Sequence, residues 1–217
     1  NGGKIRNRSI TSQTLLLAKT ISRTRGIADV RQIRNLPSLP ETSDELSAMA
    51  RALHADPLKS LFLRENATEA KVKHLQTLDQ FRVLAFATHG ALAGQLKGNN
   101  EPGLILTPPT QGNEEDDGYL SASEIARLKL NADWVLLSAC NTAGGAGGEA
   151  EGLTGLAKAF AYAGARALFV SHWEVESNAT VRLTGTLLQL NIQNKLPRAE
   201  AHRQTMLEMI RDPKTEM

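Results

Sequence analysis

Three short apolar runs constrain this chain more than anything else in it: "RVLAFAT" at 82–88, "DWVLLSA" at 133–139 and "RALFVS" at 166–171. Each has the length of a strand, is bounded by polar or breaking residues, and is nearly continuous rather than alternating. A strand wet on one side alternates; a continuous run belongs in a sheet covered on both faces, as parallel strands are when helices lie above and below. Two more runs, "SLFLR" at 60–64 and "GLILT" at 103–107, also read as strands.

Helical period fills the intervals. Leu46, Met49, Ala50 and Leu53 recur at i, i+3, i+4 and i+7 behind "TSDE" at 42–45, a sequence with the form of a capping box. Leu153, Leu156, Ala157 and Phe160 repeat the spacing, and Gly164 stands where a helix would stop. Further helices are expected over 67–78, over 121–129 behind "SASE", over 177–191, and over 197–211 with Pro197 at the start. The alternation predicts an α/β fold with a mostly parallel sheet flanked by helices. "TPPTQGNEEDDG" at 107–118 is polar and proline-containing and reads as an exposed loop, and no internal repeat is found.

Composition narrows the function. With 217 residues, 41% of them hydrophobic, the chain can bury a core, and its formal charge of +2 is too small to favour a polyanion, so no nucleic-acid partner is expected. Its uneven part is the start: Lys4, Arg6, Arg8, Lys19, Arg23, Arg25, Arg31 and Arg34 stand against Asp29 alone, and residues 1–35 read as a basic linker or poorly ordered segment. A single cysteine allows no internal disulfide, which makes the cytoplasm the default compartment. No apolar run reaches membrane-spanning length, so no membrane partner is expected.

In an open parallel sheet, chemistry gathers beyond the carboxyl ends of the strands. The run ending at Thr88 is followed by His89, and the run ending at Ala139 by Cys140, the only cysteine. If the two strands are neighbours, thiol and imidazole emerge at one rim, roughly 5 Å apart. A cysteine attacks a carbonyl as the thiolate, and an imidazole within reach lowers its pKa and later protonates the leaving amine. Gly90, lacking a Cβ, can bring its backbone N–H to the substrate carbonyl and form an oxyanion hole with the N–H of Cys140. Gly144, Gly145, Gly147 and Gly148 give a loop free to wrap a bound chain. Against this stands the plainer reading, a small core cysteine and a structural strand-end histidine. The glycine-rich loop also resembles a phosphate-binding turn, but it lacks a GK[ST] ending and a clean GxGxxG, and Glu149 and Glu151 stand where a phosphate would sit. His54, His74, His172 and His202 show no metal-ligand spacing, so neither metal nor cofactor is expected.

The runs "LPSLPETSDELSAMARAL", "ATHGAL", "DGYLSASEIARLKLNADWVLLSACNTA", "GGEAEGLTGLAKAFAYAGARALFVSHWEV" and "NATVRLT", in that order, resemble the CHAT family, caspase-like domains related to caspases and separase. The resemblance covers about residues 36–211 and implies a caspase-like three-layer α/β/α domain over 36–217, incomplete at both ends. It implies a cysteine endopeptidase acting on protein or peptide substrates, with His89 as general base, Cys140 as nucleophile and Gly90 as oxyanion donor. The histidine 51 residues ahead of the cysteine, and "SAC" where caspases have "QAC", fit the caspase pattern. No third member of the dyad is nameable. Bacterial, cytoplasmic origin and regulation by a flanking sensor or repeat domain are further implications. The alternative is a caspase-like scaffold that binds without cleaving. Trp173 is read as a wall of the substrate groove or as core, and His172 beside it as a rival base without a glycine partner. Glu149, Glu151, Asp116 and Asp117 are read either as selecting a basic P1 side chain or as solvated loop charges.

Overall fold

A computed structural model of the chain describes residues 26–138, 149–170 and 177–212, with side chains left undescribed at 149–154 and 177–178. The expected strands at 82–88, 133–139 and 166–171 form as β1 (Val83–Ala87), β5 (Trp134–Ser138) and β6 (Leu168–Val170). They make one parallel sheet in the order β1-β5-β6, in which Val83 pairs with Trp134 and Ala87 with Ser138.

Why these runs are apolar throughout is visible in where their side chains go. Leu84 and Phe86 of β1, Val135 and Leu137 of β5, and Leu168 and Val170 of β6 share one core with Leu156, Ala159 and Phe160. The intervening Val83, Ala85, Trp134, Leu136 and Phe169 share another with Met49, Leu187, Leu188 and Ala201. With successive side chains on opposite faces, both faces must be apolar. The covering helices are α2 (Glu41–Ala52), α7 (Ser177–Leu188) and α8 (Arg198–Arg211) on one side and α6 (Glu149–Ala163) on the other, which gives the three-layer α/β/α arrangement. Smaller helices are α1 (Val30–Arg34), α3 (Pro57–Ser60), α4 (Glu69–His74) and α5 (Ala122–Ile125). Among the described residues no helix is long and apolar enough to cross a membrane.

The structure corrects several local expectations. The run "GLILT" does form a strand, β3 (Gly103–Ile105), but antiparallel and in a second sheet, between β2 (Gly90–Ala91) and β4 (Tyr119–Ser121). The run "SLFLR" is no strand: Ser60 ends α3, and Arg64 at φ +52° opens a 3₁₀ turn. Leu61 and Leu63 are extended, yet no ladder partner stands beside them among the described residues. The helix expected over 67–78 stops at His74, where Leu75 turns extended. The capping box expected at "TSDE" is absent, because α2 already begins at Glu41; its first turn is closed instead by Thr42, whose hydroxyl donates to the Leu39 carbonyl at 2.7 Å. A capping box does form at "SASE", between Ser121 and Glu124, although α5 is one turn long. Ahead of residue 36 the chain is folded from Gly26 on: Ala28 and Ile33 are buried with Leu96, Ile105 and Tyr119.

Candidate active site at the seam of the two sheets

His89 occupies a junction. Thr88 extends the parallel ladder, its N–H donating to the Ser138 carbonyl at 3.3 Å, while its hydroxyl donates to the Ile105 carbonyl. One residue later the chain belongs to the other sheet: Ile105 N–H donates to the His89 carbonyl at 2.8 Å, and Gly90 stands opposite Leu104. The backbone of His89 is thereby held from both sides, and the partly buried imidazole projects at the carboxyl end of β1, where the sequence expected it.

The ring has a fixed tautomer. Its Nε2 lies 2.7 Å from the Pro37 carbonyl oxygen. A carbonyl only accepts, so Nε2 carries the hydrogen, and the neutral ring keeps its basic lone pair on Nδ1. The group that bonds the ring is therefore a backbone oxygen. No sequence signal marks it, since every residue carries one.

Gly90 begins β2. In an antiparallel ladder bonded and non-bonded pairs alternate, and the bond from Ile105 to His89 makes that pair a bonded one. Gly90, next along, has its N–H turned away from β3 and free of the ladder.

Cys140, with Trp173 and His172, lies outside the described residues. The last described residue of its strand is Ser138, the register partner of Ala87. Glu149 and Glu151 fall in the first turn of α6, with side chains outside the description.

The acidic loop departs from both readings offered for it. Asp117 is 1% exposed, and its carboxylate accepts from the N–H of Ala28 at 2.7 Å and of Tyr119 at 2.9 Å, so it is neither a pocket wall nor a solvated charge. Buried Glu69 accepts from the N–H of Asp117 and Gly118, and Lys73 bridges Glu69 and Glu124 at 3.0 Å each. Burial pushes the Glu69 carboxyl up, against these bonds. Asp116 also turns inward, accepting from Gly118 N–H at 3.3 Å, while residues 113–115 stay exposed.

One further residue escaped the sequence reading. Glu45, on α2, is 4% exposed, and Ser138 Oγ donates to its Oε2 at 3.0 Å. Burial raises its pKa to about 7, the Ser138 bond opposing and the charge of Glu41 adding to the rise. The signal was its place four residues before Met49, on the buried stripe of the helix. A cleft of about 930 Å³ runs along β1 to His89, bordered mainly by apolar groups such as Leu46, Met49, Val72 and Phe86.

A family model described as the CHAT domain matches residues 6–216. No curated protein and no solved structure matches the chain. The family is related to the caspase-like cysteine peptidases. With nearly the whole sequence spanned by that match, and with an α/β/α sandwich carrying a histidine at the rim of its parallel sheet, the chain belongs to the CHAT domain family.

Proposed function

We propose that the chain is a cysteine endopeptidase that cleaves protein substrates through a dyad of Cys140 and His89. The observation that carries this reading is the state of His89: a carbonyl on Nε2 leaves Nδ1 as a base, at the end of a strand paired to the strand that leads into Cys140. Each residue follows a member of one register pair, Ala87 and Ser138, by two positions, which supports a shared rim.

In the proposed reaction Nδ1 takes the thiol proton and the thiolate adds to the scissile carbonyl carbon. The N–H groups of Gly90 and Cys140 hold the oxyanion. The imidazolium, stabilised by the Pro37 carbonyl, returns its proton to the amine as the C–N bond breaks. Water then adds to the thioester with His89 again as base, releasing the acid and restoring the thiol. Trp173, Glu149 and Glu151 are proposed as substrate contacts, and a flanking sensor or repeat domain of a cytoplasmic protein as the regulator.

Digestion of a peptide library, read by mass spectrometry, tests this. Cleavage is expected from the parent protein, none from Cys140→Ala, and a loss of about a hundredfold or more from His89→Ala. Silence from all three, with Cys140 of the parent no more reactive to iodoacetamide than a free thiol, would leave a scaffold as the better description.

A further inference from the structure

A carboxyl group stands on the buried face of α2, where an apolar side chain is the ordinary occupant. Glu45 shares the buried face of the helix with Met49, and the other buried carboxylates among the described residues, Glu69, Glu124 and Asp117, are engaged by Lys73 or by backbone amides. Glu45 has the Ser138 hydroxyl on one oxygen, and its Oε1 has no partner among the described residues. Burying a polar oxygen without a partner costs stability, and an apolar residue of similar volume would avoid the cost.

The position of Ser138 gives the carboxyl a use. Ser138 ends β5, and its two oxygens face different parts of the fold: the carbonyl accepts from Thr88 N–H, in the residue before His89, and the hydroxyl donates to Glu45. Pro37, whose carbonyl holds the imidazole, lies a few residues ahead of α2. One continuous segment, 37–45, thus grips the histidine at one end and the end of β5 at the other.

We propose that Glu45 is a positioning residue of the site: its carboxyl fixes Ser138, and so the strand end from which Cys140 follows, at the distance from His89 that proton transfer requires. This rests on the dyad reading. Such a residue acts through alignment, and small misplacements of a reacting atom cost large factors in rate.

The second-order rate of Cys140 alkylation by iodoacetamide tests it on the full chain, with thermal melting of each variant alongside. Glu45→Leu, which keeps volume and loses the acceptor, is expected to slow alkylation about tenfold. Ser138→Ala should slow it as much, the double variant no more than either, and Glu45→Gln, which still accepts from Ser138, should stay within about twofold of the parent. Rescue by glutamine separates alignment from general destabilisation. Alkylation of Glu45→Leu at the parent rate overturns the proposal; if that variant does not fold, an unchanged rate in Ser138→Ala overturns it instead. His89→Ala distinguishes the two levels: slow alkylation there with fast alkylation in Glu45→Leu removes only the role of Glu45, whereas fast alkylation in His89→Ala removes the dyad itself.

Discussion

The carboxyl of Glu45 holds its proton to higher pH in the folded chain than in the unfolded one, because burial raises its pKa from 4.5 to about 7. Between those values the native state keeps a proton that the unfolded state has lost, so this group's contribution to stability falls as pH rises and levels off above the folded value. Glu45→Gln, which carries no charge and keeps an acceptor for Ser138, is expected to gain on the parent by on the order of 3 kcal/mol at pH 8 and to lose that advantage toward pH 4. Urea midpoints at the two pH values measure it; an equal gap at both would show that burial does not hold this carboxyl's pKa up in the folded chain. At the same scale, the place of His89 at the end of a parallel strand was legible, because the apolar run before it stops at Thr88. Pro37 was not, since a backbone acceptor leaves no mark in the sequence. Glu45 was mistaken for a cap, because its spacing from Thr42 is that of a capping box while its spacing from Met49 is that of a buried face.

Among the elements, the best anticipated are those whose stop or start is fixed by one residue. Gly164 ends α6 at φ +112°, and a Cβ there would lie 2.2 Å from the Leu130 carbonyl oxygen. Gly164→Ala is therefore expected to cost about 2 kcal/mol or more, from backbone strain and from displacement of Leu130, and a denaturant titration reads it. The parallel strands were legible because burial on two faces demands apolar residues throughout. The second sheet was not: β2 is two residues long, too short for any periodicity, and β3 takes its direction from that partner rather than from its own composition. The run at 61–63 is a similar case, extended as its residues prefer but lacking a neighbour to complete a ladder. Propensity sets a backbone conformation, whereas strand identity needs a second chain segment.

For the whole molecule, the acidic loop at 107–118 is less a surface feature than a clamp. Lys73 neutralises two buried carboxylates at once, and one of them, Glu69, binds the backbone of Asp117 and Gly118. Lys73→Met would leave both acids without their cation, and a loss of about 3 kcal/mol is expected, with faster hydrogen exchange at residues 117–119 before the parallel sheet opens. Protection at those amides equal to the parent's would show that the lysine is dispensable. The histidine is tied into the same architecture. Its ring answers to Pro37 and its backbone to Ile105, while Thr88 before it is bonded to Ser138, so contacts from three other regions of the chain meet at residues 88–89. The ring's bond to Pro37 is lost if the segment ahead of α2 drifts, even where every helix and strand persists. The Nε2 proton of His89, followed by NMR, thus serves as a gauge of tertiary integrity: it exchanges with water as soon as the regions part, while circular dichroism still reports a folded protein.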